Sequence, residues 1–151
     1  LWQEETWPGF KERYVDTNKV RYIFRELPTP PADIATAGVL MARCVGEDRY
    51  FDVMHELMAN QTEWTTGAIQ PRASLIRTAN SFGMSEQEFT DCVTDPNNIA
   101  ALEKRLELAV ADGVSGTPTF IVNGTKVVTP GSQSGTSLAD LSTAIDAELA
   151  K

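Results

Sequence analysis

Few side chains in this 151-residue chain are suited to chemistry, and their spacing limits what they can do. It has two cysteines, Cys44 and Cys92, and no Cys-x-x-Cys. A redox couple needs an exposed thiolate, commonly near a helix N-terminus. Cys44 and Cys92 instead fall on the apolar faces of two separate helical patterns, so a catalytic pair is rejected. Buried free thiols are common, and a bridge between the two is the other reading. The one histidine, His55, lies mid-helix between Met54 and Glu56 and reads as a partly exposed helix residue. With a single histidine, neither a Ser/His/Asp triad nor a His-rich metal site is expected. Glu86 and Glu88 read as first-turn carboxylates favoured by a helix dipole, and Glu4 and Glu5 as solvated groups, rather than proton shuttles.

The most informative stretch is Gly113-Val114-Ser115-Gly116-Thr117-Pro118-Thr119-Phe120-Ile121-Val122-Asn123-Gly124. A glycine stops a helix, a small-residue loop follows, and Thr-Pro leads into an apolar strand that Asn-Gly turns. Proline lacks an N–H, so Pro118 belongs at the first residue of a strand or in a tight loop. An X-Pro bond is also the common place for a cis peptide.

The elements that must position these residues follow from periodicity. Residues 1–14 read as a helix with Trp7, Phe10 and Tyr14 on one side, kinked at Pro8. Residues 19–27 alternate, with Val20, Tyr22 and Phe24 on one side, and predict a strand. After Pro28, Pro30 and Pro31 comes a helical block. Ala37, Leu40, Met41 and Cys44 share one face, and Tyr50, Met54, Leu57 and Met58 share the next. Pro71 suits the first turn of a third helix. Ser85 with Glu88 forms a capping-box pattern, and Met84 with Phe89 a hydrophobic staple. Asp95-Pro96 opens a longer helix ending at Gly113. Strands are predicted over 119–122 and 126–128. A Gly/Ser-rich loop over 130–136 precedes a final helix with Leu138, Leu141, Ile145 and Leu149 inward. Trp64 reads as part of a polar loop.

Composition sets the outer bounds. The length suits one domain with a real core. A hydrophobic content of 42% and a charged content of 23% are ordinary for a globular protein. A net charge of −8 argues against a nucleic-acid partner, because phosphate recognition needs clustered Lys and Arg. No apolar run approaches the roughly 20 residues of a membrane span.

Taken in order, these segments resemble a DsbA-type thiol:disulfide oxidoreductase of the thioredoxin superfamily, in the bacterial group with a helical insertion. Trp7-Pro8 and 11–17 resemble the family's first helix after the active site, and 20–28 its next strand. Met41-Ala42-Arg43-Cys44 and Phe89-Thr90-Asp91-Cys92 resemble helical cysteine positions seen in part of that group. Gly116-Thr117-Pro118-Thr119-Phe120 resembles its cis-proline loop. The implied fold is α/β and thioredoxin-like, with an inserted helical subdomain. Residues 1–31 and 96–151 are expected to form the thioredoxin-like part and 32–95 the insertion. In the family, Cys-x-x-Cys lies just ahead of the positions matching Leu1 and Trp2. The first strand and the catalytic cysteines are therefore expected upstream of Leu1, as in an N-terminally truncated chain.

The resemblance implies disulfide exchange in the parent protein with protein or peptide substrates carrying thiols or disulfides. It implies no cofactor or metal, and this chain alone is expected to be redox-inactive. Gly116, Thr117 and Pro118 would face substrate through the backbone. Trp2, Trp7 and Phe10 would line a peptide groove near that site or, for Trp7 and Phe10 in particular, pack the core. Cys44 and Cys92 are expected to form a structural disulfide tying two inserted helices, in keeping with an exported, periplasmic protein. Without the first strand, the edge of 20–24 would be open to pairing, including homodimerisation. Two other readings stand beside this one: a non-catalytic thioredoxin-like module binding peptides or a partner, and an isomerase- or glutathione-transferase-like member of the superfamily.

Overall fold

The computed structural model describes residues 2–132 and 135–151, except for the side chains of Trp64 and Thr65. Its contacts divide the chain into two compact units, Leu1–Arg25 with Gly113–Lys151, and Glu26–Asp112.

In the first unit the N-terminal helix is broken into α1 (Trp2–Glu5), α2 (Trp7–Phe10) and a π-helical turn, Lys11–Val15. Pro8 cannot donate to the carbonyl four residues back, and this accounts for the interruption between α1 and α2. The π turn closes with the Asp16 N–H donating to the Lys11 carbonyl at 2.9 Å. Its purpose is visible in Tyr14, which is wholly buried and donates its hydroxyl to Asp146 at 2.9 Å. Asp146 belongs to α9 (Leu138–Leu149), so this bond ties the two ends of the unit together.

Phe10, Tyr14, Leu141 and Ile145 form the core, with Trp2, Trp7, Val20, Tyr22 and Phe120 packed against it. The expected alternation over 20–24 is present: Val20, Tyr22 and Phe24 are partly buried, while Arg21 and Ile23 are exposed. The strand itself is not. These residues join no ladder, because a period-two burial pattern needs only a core, whereas a strand also needs a neighbouring strand in register. Among the described residues the sheet is the hairpin β1 (Phe120–Val122) and β2 (Thr125–Val127), with Ile121 opposite Lys126. Asn123 and Gly124 both have positive φ, 45° and 84°, as a tight two-residue hairpin turn requires.

The second unit is helical: α3 (Ala32–Val45), α4 (Tyr50–Ala59), α5 (Gln61–Thr65), α6 (Pro71–Ser81), α7 (Glu86–Thr94) and α8 (Pro96–Ala111). Leu40, Met41, Val53, Leu57, Leu75, Phe89 and Leu102 are buried in it. Local signals set the starts of α7 and α8. The Ser85 hydroxyl accepts from the Glu88 N–H while the Glu88 carboxylate accepts from the Ser85 N–H. Met84 and Phe89, either side of that box, are both buried. Asp95 accepts from the Asn97 N–H at 2.8 Å and Pro96 occupies the first helical position.

Three expectations change. Helix α8, expected with the C-terminal thioredoxin-like part, belongs to the helical unit, because it packs on α7 and α3. Cys44 is exposed rather than on the buried face of α3. The inward stripe is carried by Leu40 and Met41, and Cys44 lies beyond them in the last turn. Trp64 lies in α5, not in a loop, and its side chain is outside the described residues. The 130–136 loop is likewise only partly within them.

Candidate functional site

The Pro118 loop is the exposed end of the hairpin. The Thr117–Pro118 peptide is cis, as is Pro30–Pro31 in the other unit. Thr117 and Pro118 are exposed, and Gly116 is half-buried. The Thr119 hydroxyl donates to the Gly116 carbonyl at 2.6 Å and closes the loop on itself. A second segment backs it. Gly135 has φ +100°, and a Cβ built there would stand 2.4 Å from Pro118 Cγ. Only a glycine lets that backbone lie against the proline ring.

The start of the chain meets the same place. The Trp2 ring stacks on Phe120 with centroids 4.6 Å apart, and its indole N–H donates to the Thr136 carbonyl at 2.9 Å. Trp7 continues the aromatic layer to Tyr22 at 4.8 Å. Burial in this layer pushes the Tyr22 phenol up to about 12, so it stays neutral and serves as packing. The 136–140 stretch is fixed by hydroxyls. Thr136 donates to the Val127 carbonyl at 2.9 Å, and Thr129 and Ser137 both donate to Asp140. The Thr129 bond first, then that of Ser137, holds the Asp140 carboxyl below the usual range.

The remaining candidates lie in the helical unit. Cys44 and Cys92 form a disulfide between α3 and α7, with Cα atoms 6.3 Å apart. The Asn98 side chain donates to Cys44 Sγ at 3.5 Å and to the Cys92 carbonyl at 3.0 Å. His55 is half-buried on α4. Glu86 and Glu88 are exposed first-turn residues of α7; Glu88 caps the helix with Ser85, and Glu86 accepts from Arg72 at 3.3 Å. Among the described residues no group of His, Cys, Asp and Glu is arranged to hold a metal.

One polar cluster was not legible in the sequence. Glu26, with 3% of its surface exposed, accepts from Arg43 Nε at 2.6 Å, from the Tyr50 hydroxyl at 3.0 Å and from Arg105 Nε at 3.3 Å. Burial alone would raise its pKa. The bond from its own N–H, then Arg43 and Tyr50, outweigh that and hold the carboxyl below its ordinary range. Burial and the Glu26 charge together push the Tyr50 phenol well up. Arg43 also lies over the Tyr50 ring, 4.7 Å from its centroid. The signal that would have found Glu26 is a carboxylate in an otherwise half-apolar run, with two arginines on helices expected to pack nearby.

The thioredoxin family profile matches residues 2–147. The chain belongs to this thioredoxin family. Its fold is thioredoxin-like, with the helical unit inserted between the N-terminal segment and the hairpin. A relative from Rickettsia conorii, provisionally named a protein-disulfide oxidoreductase, is 29% identical over 98% of this chain and 51% of its own length. A relative of the same provisional name from Rickettsia typhi is 29% identical over 82% of this chain and 45% of its own length. A Na+/H+ antiporter of Salinispora tropica is 33% identical over 78% of this chain and 17% of its own length. The thioredoxin-family chain thus spans about half the length of the oxidoreductase-named relatives. No solved structure matches it significantly.

Proposed function

We propose that this chain is the substrate-facing part of a DsbA-like thiol:disulfide oxidoreductase domain, working outside the cytoplasm in a longer protein. The observation that carries the reading is the exposed Thr117–Pro118 pair, backed by Gly135, with Trp2 stacked on Phe120 two residues further on. Because Trp2 stacks on Phe120, two residues beyond Pro118, a residue just ahead of Leu1 in a longer chain would start on the same side of the unit as the loop. A thiolate there attacks one sulfur of a substrate disulfide, forming a mixed disulfide and releasing the other sulfur as thiolate. The part played by this chain is positioning. The Thr117 backbone offers an edge for an extended peptide, and the Trp2–Phe120 face shields the reacting sulfurs from water. The Cys44–Cys92 disulfide ties α3 to α7 and stays outside that exchange, so the isolated chain has no nucleophile for it.

A second reading rests on the same exposed Thr117–Pro118 backbone, a thioredoxin-like module that binds peptides without redox chemistry. Insulin reduction separates the two. The 151-residue chain is expected to read background. The same chain extended through its natural upstream coding sequence is expected to turn over. Turnover by the short chain alone overturns the proposal, and background from the extended one leaves the binding module.

A further inference from the structure

The two halves of the Cys44–Cys92 disulfide stand in different surroundings. Cys44, in the last turn of α3, is exposed, and its bond from Asn98 is exposed with it. Cys92 keeps only 7% of its surface, beneath α3 and beside the buried Phe89. Its sulfur lies 3.3 Å from the Leu40 carbonyl oxygen. Thiol–disulfide exchange depends on which sulfur a thiolate can reach and on how well the other leaves. Access here selects Cys44.

We propose that Cys44 is an S-thiolation site for low-molecular-weight aliphatic thiols of the glutathione class. The thiol loses its proton to solvent, and its sulfur bonds to Cys44 Sγ as the Cys44–Cys92 bond breaks. The electron pair of that bond leaves on Cys92, which takes up a proton from solvent. The balance is one thiol and one protein disulfide giving one mixed disulfide at Cys44 and one Cys92 thiol. No external oxidant is needed. Once protonated, the Cys92 thiol has an acceptor in place in the Leu40 carbonyl. Protonation slows the return attack of Cys92 on the adduct, and quenching in acid holds the thiolated form for mapping. Opening the bridge removes the covalent tie between α3 and α7. None of this rests on the role proposed for Pro118.

The test uses the intact chain. It is incubated with reduced glutathione, quenched in acid and mapped by mass spectrometry without reduction. A glutathione adduct on the Cys44 peptide and none on the Cys92 peptide is the expected result. Comparable adducts on both, or an adduct on Cys92 alone, overturns the proposal. Thiol reactivity of the single variants provides an independent reading. With circular dichroism confirming folding, Cys44 in Cys92→Ser should react with a chromogenic aromatic disulfide roughly tenfold or more faster than Cys92 in Cys44→Ser. The two rates should converge in denaturant. Equal rates in the folded variants, or no glutathione adduct on the intact chain, also overturns it.

Discussion

Replacing Glu26 by Gln removes one charge from the inside of the helical unit and little else. The side chain keeps its size and one acceptor oxygen. What is lost is the charge that Arg43, Arg105 and the Tyr50 hydroxyl all address. The arginine side chains are 40% and 32% exposed, so they recover hydration when the carboxylate goes, and their share is small. The Tyr50 hydroxyl is buried with Glu26, so its bond to the carboxylate carries the larger share. A hydrogen bond to a charged group contributes about 1.5–3 kcal/mol, and breaking a buried pair costs about 3–5 kcal/mol when nothing is rehydrated. With the arginines partly wet, a loss of about 2–3 kcal/mol at neutral pH is expected. At a urea slope of about 2 kcal/mol/M this lowers the midpoint by roughly 1–1.5 M.

The pH dependence carries a sign that tests the cause. The Glu26 carboxyl is held below its ordinary value of 4.5 in the folded chain. Its contribution is therefore complete above that value and is lost as pH falls through the lower folded-state value. Urea unfolding of wild type and Glu26→Gln should differ by a constant amount from neutral pH down to about 5, then converge on further acidification. A gap unchanged into strong acid, or one that widens there, would falsify the ionic account and leave a packing defect as the cause.

The Cys44–Cys92 bridge spans 48 positions, and on the chain-entropy relation removing it with Cys44→Ser/Cys92→Ser costs about 4 kcal/mol. Urea unfolding checks this, and a loss under about 1 kcal/mol would mean that the unfolded chain is compact without the bridge. Ser85→Ala removes the acceptor for the Glu88 N–H and should cost about 1 kcal/mol, with the far-UV signal of the native state unchanged. Gly135→Ala combines an unfavourable φ with a Cβ set against the rigid Pro118 ring and should cost about 1–3 kcal/mol. It should also shift the emission of Trp2, whose indole is bonded one residue further on, and unaltered emission with unaltered stability refutes that contact.

What the sequence determined by itself is what a few neighbouring residues decide. Ser85 and Glu88, Asp95 and Pro96, Pro71, and Asn123-Gly124 fix helix starts and a hairpin turn through bonds spanning two to four residues, and these are legible without the rest of the chain. The alternation over 20–24 was equally legible as a burial pattern, but not its pairing, because a ladder depends on a second strand that no local signal names. Helical phase located Leu40, Met41 and Cys92 inward, yet it could not say that the packed stripe of α3 gives out before Cys44.

Only the tertiary structure decided the rest. Glu26 meets an arginine 17 positions away and another 79 positions away. Gly135 finds Pro118, and Trp2 finds Phe120 and Thr136. Local patterns say that a side chain is buried or a backbone turned. A charge buried from water is satisfied, and a proline ring held in place, only by groups that the folded chain brings from elsewhere.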